Sequence, residues 1–278
     1  MRARARSRKR LKRRPHRSRK QRGGSYHIPK KIWGYWNTPT IPPPIKACFD
    51  RRQRLLAGWE HNTLSENNTP LSKDTFPKRF AELSLQHQSD WIRLAVIEKY
   101  GGCWMDATIL LNDPKAIEAL YHEATLKKAE LTAFYSDRYS RGHGPEGYIE
   151  NWFIMAPPHS ELIRRWKQEF EHAISMGFPE YREHISKHMD VEYIYNGTTY
   201  LTMHVCMQMV LRNYKPTMLL KRAEDAMYKI TKDCGWTPPR CTAKTIVANP
   251  TAAKEIPFIK ISSVDLLDFD FSPYFNTP

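Results

Sequence analysis

Asp90 and Arg93 lie three residues apart in a stretch with helical periodicity, so their side chains point the same way. Gly101-Gly102 then breaks that helix, Gly101 suiting the left-handed position just past a helix end. An apolar run follows at once and carries a single acid, Asp106. Strand alternation puts Asp106 and Thr108 on one face and Ala107 on the other. The end of a strand in an α/β sheet is a ligand position, and glycines let backbone approach closely. A carboxylate there suits a hard divalent cation, Mn²⁺ or Mg²⁺, held by one or two carboxylates together with substrate phosphates. Arg93 would add positive charge facing the same diphosphate or a ribose hydroxyl. Taken singly, Asp90 and Arg93 read as a helix ion pair and Asp106 as a strand-end acid. At this spacing around a double glycine they read as a site.

The elements that must position these residues alternate between strand and helix. KKIWGYW reads as a first strand, followed by the proline-rich turn NTPTIPPP. Ile45 to Trp59 reads as a helix and HNTLSENNTPLSKD as a polar loop. Lys78 to Tyr100 carries the main helical signal, with Ser89 capping its last piece and Asp90 in the first turn. Trp91, Leu94, Ala95 and Ile97 fall on one side of it. Cys103 to Leu111 is expected as one strand, ended by Asn112-Asp113-Pro114. ELTAFY and NWFIMA read as further strands, Ser160–Ser175 and Tyr200–Arg212 as helices, and PFIKIS as a late strand. The pattern predicts an α/β layered domain over residues 25–278, preceded by a basic disordered tail, residues 1–24.

That tail holds most of the charge. Residues 1–22 carry 13 Lys and Arg and no acid, leaving 31 cations against 29 acids in the rest of the chain. A like-charge block of this kind stays unfolded and suits an anionic partner, either nucleic acid or a membrane surface. A solvated tail used for targeting or solubility reads equally well. The near-neutral remainder argues against a folded domain that grips nucleic acid by itself. No run of 18 apolar residues and no apolar leader segment occur, which predicts a cytoplasmic chain without a transmembrane segment, peripheral to a membrane at most. The five cysteines contain no CxxC pair, so neither structural zinc nor a disulfide framework is expected, and a reducing compartment is the simplest reading. Asn67-Asn68-Thr69 and Asn196-Gly197-Thr198 match the glycosylation pattern and read as chance.

SDWIRLAVIEKYGGCWMDAT resembles the pattern S-D-x-x-R-x₇-G-G-x-[WY]-x-D-x-[DST] of sugar-nucleotide glycosyltransferases of the capsular polysaccharide synthesis type. These are relatives of the DXD sugar transferases that include yeast initiating mannosyltransferases and clostridial glucosylating toxins. HIPKKIWGYW is similar to that family's first strand, IENWFIMAPPHSELIRRW to its later Asn–strand–helix segment, and PFIKIS to its closing strand. The matches span Ile28 to Ser262. The resemblance implies a GT-A-like fold, a Rossmann-like mixed sheet flanked by helices. It also implies transfer of a sugar from a UDP- or GDP-sugar donor to a glycan acceptor in polysaccharide or surface-glycan synthesis, with retention. Asp90 and Arg93 would contact the donor sugar or ribose. Asp106 would be the first acid of the DXD motif, reaching ribose and metal. Trp33, Tyr35 or Trp36 would sit beside the base, Asn151 near the transferred sugar and Lys260 near the diphosphate. Thr108 stands where the second acid would ligate the metal. With a hydroxyl there, either another acid completes the site, or the metal is held loosely, or Lys260 and Arg93 replace much of its charge.

Among the remaining residues, His204 and Met203, Met207 and Met209 read as core packing. Glu150 reads as an exposed loop acid, or as a general base if the reaction inverts. Cys234-Gly235-Trp236 suggests part of a lid. No Ser nucleophile elbow and no P-loop is present. Two rival readings remain on sequence grounds: an inactive domain whose function lies in the polyanion-binding tail, and a hydrolase using Asp106 and a metal on a phosphate ester.

Overall fold

The computed structural model describes residues 26–195, 198–236 and 240–276; the basic tail and the Asn196-Gly197 pattern lie outside them. The aromatic run at the start forms β1 (Lys31–Tyr35). Pro43 then opens α1 (Pro43–Leu55) at the position where a missing backbone N–H costs nothing. The chain returns in β2 (Glu60–Leu64), which lies parallel to β1 in register from Lys31↔Glu60 to Tyr35↔Leu64. This corrects the polar loop expected there. EHNTL is a sheet-edge strand with one paired neighbour, so it carries little of the apolar alternation that marks a strand.

The expected helix from Lys78 resolves into a 3₁₀ turn, Phe80–Glu82, and α2 (Leu85–Tyr100). Ser84, not Ser89, caps α2, its hydroxyl accepting from the His87 N–H. The polar first turn hides this start, and Ser89 sits inside the helix. From Trp91 to Ile97 every residue is buried. α2 ends at Gly101, whose φ of +64° turns the chain straight into the sheet.

The single strand expected from Cys103 to Leu111 is two: β3 (Gly102–Met105) and β4 (Ile109–Leu111). Asp106 therefore lies in the turn between strands, not within one. After α3 (Pro114–Lys127) come β5 (Leu131–Tyr135), β6 (Ile149–Ala156), β7 (Met218–Arg222) and β8 (Phe258–Lys260). The main sheet has the order β2-β1-β3-β6-β5-β7, with β6 alone running against its neighbours. β4 pairs antiparallel with β8 in a separate two-stranded sheet.

Helices cover both faces. α2 and the helices Glu161–Met176 and Thr202–Asn213 bury Leu94, Ile97, Trp166, Phe170 and Met207 in one apolar cluster. Ile117, Leu120 and Ala124 of α3 join Phe153 and Met155 of β6 in another. The expected α/β layers are present. The cysteine reading needs one correction: Cys234 and Cys241 form a disulfide joining two short helices. Their spacing gives no motif. Cys48, Cys103 and Cys206 are buried thiols.

Candidate active site

β1 and β3 run parallel, with Ile32 opposite Cys103 and Trp33 opposite Trp104. From β1 the chain steps to β2 on one side, and β3 lies on the other, so the strand order reverses here. The crevice beyond the carboxyl ends of such a strand pair is where open α/β sheets bind ligands. Asp106 sits at that end of β3, and Tyr35 and Trp36 at that end of β1.

Side chains from α2, β3 and β8 converge on the Asp106 carboxylate. Its Oδ1 accepts from Trp104 Nε1 at 2.9 Å and from Arg93 Nη2 at 3.3 Å. Its Oδ2 lies 3.4 Å from Lys260 Nζ, which also donates to Thr108 Oγ1 at 2.7 Å. Arg93 Nη1 reaches Asp90 Oδ1 at 3.1 Å and the Asn151 carbonyl at 3.0 Å. Asn151 Nδ2 donates back to Asp90 Oδ1 at 3.0 Å. The guanidinium of Arg93 also lies over the Trp104 ring. Asp90, Arg93, Asp106, Thr108, Asn151 and Lys260 are thus brought together as one network.

They are not equally open. The Asp106 and Lys260 side chains are 24% and 18% exposed, whereas those of Asp90 and Arg93 are buried. Asp90 and Arg93 act from behind, fixing Asn151 and Asp106. Burial pushes the Asp90 carboxyl up to about 6, against the pull of Arg93. Burial also opposes ionisation of Asp106, but Arg93 and Lys260 outweigh it and hold its carboxyl below the ordinary value. Of the three aromatics expected at the base, Trp33 is buried, donates Nε1 to the Gly101 carbonyl and stacks on Tyr100. Tyr35 is buried in the same core cluster, and Trp36, just past the end of β1, is half-buried.

Strand β6 reaches this point through an irregularity. Between Ala133↔Ile154 and Tyr135↔Ile149, two steps along β5 match five along β6. The bulged stretch carries Glu150, Asn151 and Trp152, and the Trp152 carbonyl accepts from the Asp106 N–H at 2.9 Å. Bulges of this kind re-aim side chains beside functional sites.

Sequence reasoning missed three contributors. Arg52 of α1 is buried and clamps the backbone, donating to the Met105 and Asp106 carbonyls at 2.8 Å each. An arginine on the apolar face of α1, in step with Ile45 and Cys48, was its signal. Trp104 was hidden as a core aromatic. Tyr200 stands near these groups: its phenol is held above the ordinary value by burial first and then by the charge of Asp90, and nothing local in sequence marks it.

Glu150 is also corrected: it is buried on β6, not an exposed loop acid. Its Oε2 lies 4.0 Å from His204 Nε2. Burial pushes the Glu150 carboxyl up to about 8 and the His204 imidazole down to about 3, so both are neutral at pH 7. A carboxyl raised in the folded state takes up a proton on folding, and its contribution to stability declines as pH climbs from 4.5 towards 8. Glu150→Gln is therefore expected to leave the melting temperature at pH 4.5 nearly unchanged. At pH 8 it should raise stability, by on the order of a few kcal/mol. Equal shifts at both pH values would show that Glu150 is not held neutral.

A metal at this site would have Asp106 and Thr108 as its nearest protein ligands. Both already face cations, and among the described residues no group of three or more His, Cys, Asp or Glu converges to hold an ion. The donor set does not fit a protein-held divalent ion.

The sequence profile of the family described as "Capsular polysaccharide synthesis protein" matches residues 4–228. The chain belongs to the capsular polysaccharide synthesis protein family. Asp90, Arg93, Asp106 and Asn151 lie within the matched span of this family, and Lys260 lies beyond it. The O-glycosyltransferase PaGT of Phomopsis amygdali is 25% identical over 160 residues, covering 51% of this chain and 38% of the fungal protein. The chain thus spans well under half the length of that curated relative. Among solved structures, a glycosyltransferase involved in the glycosylation of the major capsid of PBCV-1 superposes with a TM-score of 0.44 at 12% identity, over 86% of this chain and 98% of that one. The PaToxG glycosyltransferase gives 0.41 at 12% identity, over 89% and 85%. No helix among the described residues is long and apolar enough to cross a membrane.

Proposed function

We propose that this capsular polysaccharide synthesis protein is a retaining glycosyltransferase with a GT-A-like sheet. It moves a sugar from a UDP- or GDP-sugar donor to a glycan acceptor. One observation carries the reading: a partly exposed carboxylate, Asp106, set between two cations at the carboxyl end of β3, where the strand order reverses. Family membership and the name of the fungal relative support it.

In this reading Tyr35 and Trp36 flank the base, and Asp106 accepts from a ribose hydroxyl. Asn151, held by Asp90 and Arg93, orients the sugar. The bond between the anomeric carbon and the β-phosphate oxygen breaks, and its electron pair stays on the phosphate. The acceptor oxygen takes the anomeric carbon, and its proton passes to the departing diphosphate. Fixed positive charge beside the leaving group lowers the barrier without reorganisation. Thermal stabilisation of the purified chain by UDP and GDP is the first test. A rise in melting temperature with one nucleotide is expected, and a flat response to both would remove the donor reading.

A further inference from the structure

We propose that Lys260 is the chain's built-in counter-ion for the donor diphosphate, standing where a divalent metal would sit, so that donor binding needs no divalent cation. This deepens the reading above and rests on it.

The geometry of Lys260 carries the inference. Its ammonium donates to Thr108 Oγ1 at 2.7 Å and lies 3.4 Å from Asp106 Oδ2, in the angle between the two oxygens offered to an ion. The other Asp106 oxygen accepts from the Trp104 indole and Arg93. A dication at this place would lie beside an ammonium and a guanidinium, with one shared carboxylate and one hydroxyl as its protein ligands. Such an ion takes most of its six oxygens from water and substrate phosphates, but it needs one or two protein carboxylates free to anchor it. Here the single carboxylate, Asp106, is already paired with two cations, and the hydroxyl beside it accepts from one of them.

The backbone beneath Lys260 is fixed. β8 pairs with β4 through Ile109↔Lys260, the Lys260 N–H donates to the Met227 carbonyl at 3.0 Å, and the Ile261 N–H donates to the Thr108 carbonyl at 3.3 Å. Ile259 and Ile261, on either side, are buried. The ammonium is therefore presented by a rigid strand, as a preorganised charge must be. It also lines a cavity of about 440 Å³ with Tyr228, Trp236, Arg240 and Ser262, which gives a phosphate a way in. Its longer contacts, to Asp106 and to the Ile261 carbonyl at 3.3 Å, are the ones a phosphate oxygen would take over.

The test is calorimetric titration of the full chain with UDP and with GDP, once in EDTA and once in Mn²⁺. The expected result is the same Kd in both buffers for the nucleotide that binds. Lys260→Met should weaken binding at least about tenfold in both, the loss of one charge-assisted contact. The double variant Thr108→Asp with Lys260→Ser should bind in Mn²⁺ and not in EDTA. Wild-type binding that requires Mn²⁺ would overturn the proposal whatever the variants do. So would Lys260→Met binding like wild type in EDTA. If neither nucleotide binds in either buffer, to a chain that melts cooperatively, the donor reading itself falls and takes this one with it.

Discussion

Asp106→Asn is expected to lower sugar transfer by about 10³-fold or more while the protein keeps its fold. The amide still offers Trp104 Nε1 an oxygen, Arg93 keeps Asp90 and the Asn151 carbonyl, and Lys260 keeps Thr108. What disappears is the single negative charge that faces both cations and the crevice. Without it Arg93 and Lys260 lose their common anchor, and on the proposed reading a donor ribose loses its ionised acceptor. Steady-state transfer at saturating donor, read beside thermal melting, separates the two effects. Transfer within a few-fold of wild type from a normally melting variant would take Asp106 out of the chemistry.

The largest effect on stability is expected at Gly102. Its φ is +98°, and a Cβ built there would lie 2.6 Å from the Lys31 carbonyl oxygen of β1. Alanine must therefore either strain its own backbone or push two paired strands apart. Left-handed strain costs roughly 1–2 kcal/mol and overpacking roughly 1–3 kcal/mol, so Gly102→Ala should lose about 3 kcal/mol or more. Urea unfolding monitored by far-UV circular dichroism would read this as a fall in midpoint at constant slope. A loss below about 1 kcal/mol would mean that the sheet yields easily at β3. The same substitution bears on function, because the register of β3 against β1 sets the height of Asp106.

The helix, the double glycine and the acid after it were legible because each is a local signal: periodicity, a left-handed stop and an ion pair at three-residue spacing. The glycines turned out to accommodate the chain itself rather than a ligand. Gly101 packs against Pro158 and Gly102 against Lys31. What escaped was long-range. Arg52 reaches Met105 and Asp106 from a helix more than fifty residues earlier. Strands β2 and β7 lie at the two edges of the sheet, with polar or mixed sequences that alternate poorly. The break of one expected strand into β3 and β4 could not be read from an unbroken apolar run, because the pull comes from β8, far along the chain.

That distance has a consequence for how the protein is made. Lys260 meets Thr108 across 152 residues, whereas all six strands of the main sheet precede it in the chain. A ribosome adding about 5–20 residues per second needs roughly eight to thirty seconds to go from one to the other. During that interval the growing polypeptide has Asp106, Asp90 and Arg93 but not Lys260. The nascent chain therefore carries an unfinished version of the proposed site, and it gains the Lys260 charge only when β8 emerges and closes onto β4.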